Sequence, residues 1–166
     1  MLGNYEKAQQ FYEHSLIIRR ETGEKQGEAI ILNNLGEVFA KRQQFLEAKG
    51  YYEKCLALEQ DLGLRFAEAI TAHVYAETLT ALSELSQAEK YFQAALLLRY
   101  ELNQETHHLL PPQLGLAHIA HLNGSHGKAQ AGLELIFGGI GRPNLRRPGR
   151  SVWFLLALLH IVRFLR

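Results

Sequence analysis

Five of the chain's eight histidines, His107, His108, His118, His121 and His126, fall between residues 107 and 126. His118 and His121 are three apart, so on a helix they share a face and could hold one metal ion. No carboxylate stands at a matching interval, and the HExxH arrangement of a zinc-dependent hydrolase is missing. The better reading of these histidines is a solvated or groove-facing surface, with no metal and no cofactor. Cys55 sits in an apolar stripe beside small and aromatic residues, which suits a buried packing thiol rather than a nucleophile. Gly138-Gly139-Ile140-Gly141 lacks the Lys-Ser/Thr pair and the preceding strand that a phosphate cradle needs. Asp61, the single aspartate, belongs to a helix-end turn, so no Ser-His-Asp constellation can be assembled. These residues predict a chain that is not an enzyme.

The elements that carry them are helices. From Ile30 to Ala40, apolar residues fall at Ile31, Leu32, Leu35, Val38 and Phe39, which is helical periodicity. Gln43-Gln44 breaks that stripe, and a second follows at Phe45, Ala48, Tyr52, Cys55, Leu56 and Leu58. No segment alternates in the manner of a strand. The pattern predicts helices at about 5–21, 26–41, 44–61, 65–81, 84–101, 111–122 and 125–137.

The helices repeat. Ala8, Ala48 and Ala88 stand 40 residues apart, as do Tyr12, Tyr52 and Phe92, and Leu16, Leu56 and Leu96. Phe11, Tyr51 and Tyr91 keep the interval. Gly23 and Gly63 recur, with Asn103 in third place, and both residue types accept the left-handed conformation that ends a helix. A fourth, weaker unit lies at an offset of 81 from the second, with Leu116-Ala117 where Leu35-Gly36 stands and Ala129 where Ala48 stands. The Thr106-to-Pro112 stretch is the expected place of the added residue, with Pro111 and Pro112 in the first turn of a helix, where a missing N–H costs nothing.

This pattern resembles the tetratricopeptide repeat. The signature residues match Leu35, Gly36, Phe39, Ala48, Tyr52 and Cys55 in the second unit, and Tyr75, Ala76, Leu79, Ala88, Phe92 and Ala95 in the third. The first unit keeps only its second helix, with Ala8, Tyr12 and Ser15, and the fourth matches loosely at Leu116, Ala117, Ala120, Ala129, Leu133 and Ile136. The usual period is 34 residues. The longer period here is similar to that of kinesin light chain and of the sensor arrays of large bacterial regulators of the MalT and LuxR type. The run Ala29-Ile30-Ile31-Leu32-Asn33-Asn34-Leu35-Gly36 is especially like the latter. The resemblance implies an all-α fold, a right-handed superhelical solenoid of antiparallel helix pairs with about three and a half repeats. Its units fall at about 1–25, 26–64, 65–105 and 106–137.

It also implies a role: a non-catalytic scaffold whose first helices line a concave groove that binds a protein or peptide. The alternative is the sensor-array fragment of a larger bacterial transcription regulator or signalling NTPase, and a histidine metal site ranks below both. Groove candidates are Asn33, Asn34, Glu37 and Lys41 in the second unit, His73, Glu77 and Thr80 in the third, and His118 and His121 in the fourth. Asn is poorly suited to a helix interior, and its amide offers a donor and an acceptor that can read a peptide backbone without regard to sequence. A solvated pair, or a bond to a neighbouring helix, remains the other reading of Asn33 and Asn34. Glu37 and Glu77, 40 apart, either make the groove acidic and favour a basic partner or form a solvated face. The first unit opens without its first helix, so a truncated array is expected, or an open end buried by self-association or by other domains of a longer parent chain.

Charge sets the C-terminal segment apart. Residues 1–141 hold 12 Lys and Arg against 17 Asp and Glu, whereas residues 142–166 hold six Arg and no acid. Residues 138–150 read as a Gly/Pro/Arg linker. Residues 151–166 read as an apolar helix that is a capping helix, a membrane-surface or partner-docking helix, or non-native sequence. Its apolar run is too short to span a bilayer. No basic cluster in residues 1–141 suits nucleic acid. One cysteine and no visible leader predict a cytoplasmic setting.

Overall fold

The computed structural model describes residues 2–103 and 106–140. Among them the elements are helices: α1 (Leu2–Thr22), α2 (Lys25–Lys41), α3 (Phe45–Asp61), α4 (Arg65–Ala81), α5 (Leu85–Glu101), α6 (Thr106–Leu122) and α7 (His126–Ile140). The expected linker at 138–150 and helix at 151–166 lie outside the described residues, apart from 138–140, which continue α7.

Each helix packs on the one before and the one after it, and α2 also touches α4, as α4 touches α6. The chain is therefore a stack of helical hairpins, α2–α3, α4–α5 and α6–α7, preceded by α1. Burial follows the 40-residue interval: Ala29, Leu32, Leu35, Gly36 and Phe39 of α2 are buried, as are Ala69, Ala72, Tyr75, Ala76 and Leu79 of α4. Small residues let the helices approach closely. A Cβ on Gly36 would fall 2.6 Å from the Tyr52 ring, and one on Gly115 would fall 2.4 Å from Phe92. Aromatic rings join successive helices, with Tyr75 of α4 6.4 Å from Tyr52 of α3 and set edge-on to Tyr91 of α5 at 4.7 Å.

Among the described residues, six left-handed residues close the turns: Gly23, Gln43, Gly63, Ser83, Asn103 and Gly124. After α2, Gln43 N–H donates to Ala40 O and Gln44 N–H to Phe39 O, and Ser83 and Glu84 repeat this with Thr80 O and Leu79 O. These paired bonds satisfy the carbonyls left over at a helix end. Gly23, Gly63 and Asn103 were expected in this role. Gln43 and Ser83 were not, because neither is a residue that favours the left-handed region.

Two expectations about the fourth unit need correction. The helix does not begin at Pro111; α6 begins at Thr106 and carries Pro111 and Pro112 within it. Proline removes two backbone donors there, but Pro112 is buried and Leu110 packs against Ala117 and Leu133, which rewards continuation of the helix. The added residue is therefore not within 106–112. It precedes α6, because α6 has the 17 residues of α2 and α4 and starts 41 residues after α4.

On α1, Phe11, Ile17 and Ile18 are exposed. No helix among the described residues is long and apolar enough to cross a membrane.

Candidate functional site

A groove of about 300 Å³ runs between α2 and α4 on the side where first helices of neighbouring hairpins meet. From α2, Asn33, Glu37 and Lys41 line it at intervals of four residues, one helical turn apart, with Ala40 beside them. From α4 come Ile70, Val74, Glu77 and Thr78, while Phe45 and Tyr52 of α3 complete it.

Asn33 is half-buried, and its Oδ1 is shut off from water with no hydrogen-bond donor. An unsatisfied buried acceptor costs about 1–3 kcal/mol. Tyr52 is 2% exposed. Burial, then the negative charges of Glu37 and Glu77, raise its hydroxyl pKa above the ordinary tyrosine range, so the potentials of both carboxylates reach this ring. Desolvation raises the Glu77 carboxyl above the usual carboxylate range, and the nearby Lys41 ammonium partly opposes it.

The nine residues singled out from sequence do not form one site. Asn33, Glu37, Lys41 and Glu77 share the α2–α4 groove, whereas Asn34, His73, Thr80, His118 and His121 do not line it. Thr80 donates its hydroxyl to Ala76 O of its own helix at 2.8 Å. His73 packs its ring 5.6 Å from Phe92 and leaves Nδ1 buried without a partner. Burial, aided by the charge of Arg99, pushes its pKa down to about 4, so His73 is neutral at pH 7 and its 3.6 Å approach to Glu77 is not an ion pair there. The His118 imidazole is also pushed down, by burial and then by His121.

His121, whose charge also reaches His118, meets a further histidine. Its Nδ1 lies 3.3 Å from Nδ1 of His126, across the turn between α6 and α7. No group of three or more metal-binding side chains converges among the described residues. Cys55 is fully buried and donates to Ala29 O at 3.2 Å, and burial pushes its thiol up to about 12. That environment suits packing, not nucleophilic attack.

Sequence reasoning missed Phe45, Ile70 and Thr78 as groove residues and assigned Tyr52 to the core alone. A signal for Ile70 was present. Ile30 and Ile70 occupy the same place in successive repeats, and both are large apolar side chains left exposed.

Residues 1–61 match the family model described as tetratricopeptide repeat. No curated protein matches the chain in sequence. Among solved structures, the chain is similar to BtubC (BKLC) from P. vanneervenii, at 26% identity and a TM-score of 0.75, with 89% of this chain and 63% of that one covered. It thus spans less than two thirds of BtubC. It is also similar to the nearly identical TPR-like repeats of a Podosopora anserina protein described as a kinesin light chain, at 19% identity and a TM-score of 0.75, covering 97% of this chain and 86% of that one. The latter likeness is one of fold.

Proposed function

Since the chain is an array of tetratricopeptide repeats, an all-α scaffold of a kind that serves protein interactions, we propose that its α2–α4 groove binds an extended peptide segment of a partner protein without catalysing a reaction on it. The observation that carries this reading is Asn33. Its amide oxygen is buried in the wall of an open groove and has no donor. In a free scaffold this is a cost without return; a turn of the Asn33 amide toward the groove would let a backbone N–H from a bound segment satisfy it. The apolar side chains Phe45, Ile70 and Val74 flank the same space, so side chains of a bound segment can bury area while its backbone is held.

The setting we propose is the cytoplasm, supported by the lone and deeply buried thiol of Cys55. The sensor-array alternative draws no support from the comparisons. The test is the affinity of peptides, selected on the full chain, for the wild type and for Asn33→Ala. A loss of tenfold or more is expected, and equal affinity removes Asn33 from the site.

A further inference from the structure

The α2–α4 groove has an imbalance of charge and of hydrogen-bonding groups. Its acceptors are the Glu37 and Glu77 carboxylates, on facing helices, and the donorless Oδ1 of Asn33. Its cation is Lys41, and Lys41 forms no ion pair within 4 Å among the described residues. Glu37 has no such partner either, and Glu77 has only His73, neutral at pH 7. Two carboxylates against one ammonium leave the groove with a net negative charge. Elsewhere in the array, some acids near a neighbouring helix are paired with a cation: Glu84 with Lys49 at 2.6 Å, Glu28 with Arg20 at 2.8 Å and Lys25 at 2.9 Å, and Glu101 with Arg65. The groove carboxylates have no such lysine or arginine, and both line the open space between α2 and α4.

We infer that the groove selects a basic segment, seating a Lys or Arg side chain of the partner between Glu37 and Glu77 while Asn33 holds the adjoining backbone. This rests on the peptide-binding reading and adds the chemistry of the partner to it. A guanidinium or ammonium brings several N–H donors and no acceptor, which is what a wall of acceptors lacks. The partner cation also competes with Lys41 for the same carboxylates. Lys41 therefore weakens binding, and removing its charge strengthens it. A residue with only a structural role has no reason to act in that direction.

Panning a phage-displayed library of random dodecapeptides on the full chain at low ionic strength reads the preference directly. The expected winners share a Lys or Arg at one position and weaken as salt is raised. They lose about tenfold in affinity with Glu37→Gln and about tenfold with Glu77→Gln, as for a hydrogen bond to a charged group. They bind Lys41→Gln more tightly than wild type. Circular dichroism establishes that each variant keeps its helices. Winners that need Asn33 but share no basic residue, or that bind both glutamine variants as well as wild type, overturn the inference and leave the groove standing. A failure to select any peptide, or winners indifferent to Asn33→Ala, overturns the groove reading and the inference together.

Discussion

Replacing Asn33 by leucine separates a binding residue from a structural one, because the two roles predict opposite signs. In the free chain the amide oxygen of Asn33 is buried without a donor. Removing such an acceptor recovers about 1–3 kcal/mol. Leucine also forms helices better than asparagine, by about 0.5 kcal/mol. Against this stands the branched leucine side chain, which must fit beside Tyr52 and Val74; a misfit costs about 1–3 kcal/mol, and the half-open site lets it lean toward solvent, so the lower end applies. The net expectation is a gain of about 1 kcal/mol, or about 2–4 °C in Tm for a chain of this size. The assay is thermal and urea unfolding followed by helical circular dichroism, with peptide affinity measured on the same samples. Stability should rise while affinity falls by about tenfold. A variant that loses 1 kcal/mol or more would show that Asn33 serves the fold. A gain in stability with unchanged affinity would make its orphaned oxygen incidental to binding.

Gly36→Ala places a methyl 2.6 Å from the Tyr52 ring. The cost of overpacking, about 1–3 kcal/mol, exceeds the helix-propensity gain of about 1 kcal/mol, so a net loss of about 1 kcal/mol is expected in urea unfolding, and a gain would refute the close-packing account. Glu59 is 3% exposed, accepts a bond from Thr71 at 3.0 Å and has no partner on Oε2. Desolvation raises its carboxyl above the usual range, so its protonated form suits the fold, and the associated stability is lost as pH rises through that raised value. Glu59→Gln should therefore gain on wild type in Tm as pH rises from about 4 to 8, and a constant difference would contradict the shift. Glu28, held below the usual range by Arg20 and then Lys25, has the reverse dependence, with stability present at neutral pH and lost on acidification. Cys55, with its thiol pushed up to about 12 in a fully buried site, should react with a disulfide reagent at pH 8 only on unfolding; prompt reaction in the native chain would refute its burial.

The fold was legible because its signals are repeated. The interval that joins Ala48 to Ala88 and Tyr52 to Phe92 also joins the buried faces of α3 and α5, and periodicity read over many residues averages out exceptions. The turns were half legible. Gly23 and Gly63 announce a left-handed residue, whereas Gln43 and Ser83 adopt it under the constraint of the hairpin, and side-chain type alone carries no record of that constraint. The entry to α6 misled for a related reason, since proline marks a helix start locally but burial of Leu110 and Pro112 carried the helix past it. For the site, spacing along one helix put Asn33, Glu37 and Lys41 together. It could not say which face of the next helix meets them, so Glu77 joins the groove while Thr80, three residues on, bonds its own backbone. His121 also meets His126 across a turn, a contact that depends on the angle between α6 and α7 and that spacing along one helix does not reveal.

The most direct test of the account is nuclear magnetic resonance of the full chain bound to one selected peptide, with intermolecular contacts read from the Asn33 side-chain amide. Contacts from that amide to the peptide backbone, with further peptide contacts to Val74 and Ile70, are what the account predicts. Contacts confined to α3 and α5, with the Asn33 amide unperturbed, would contradict it.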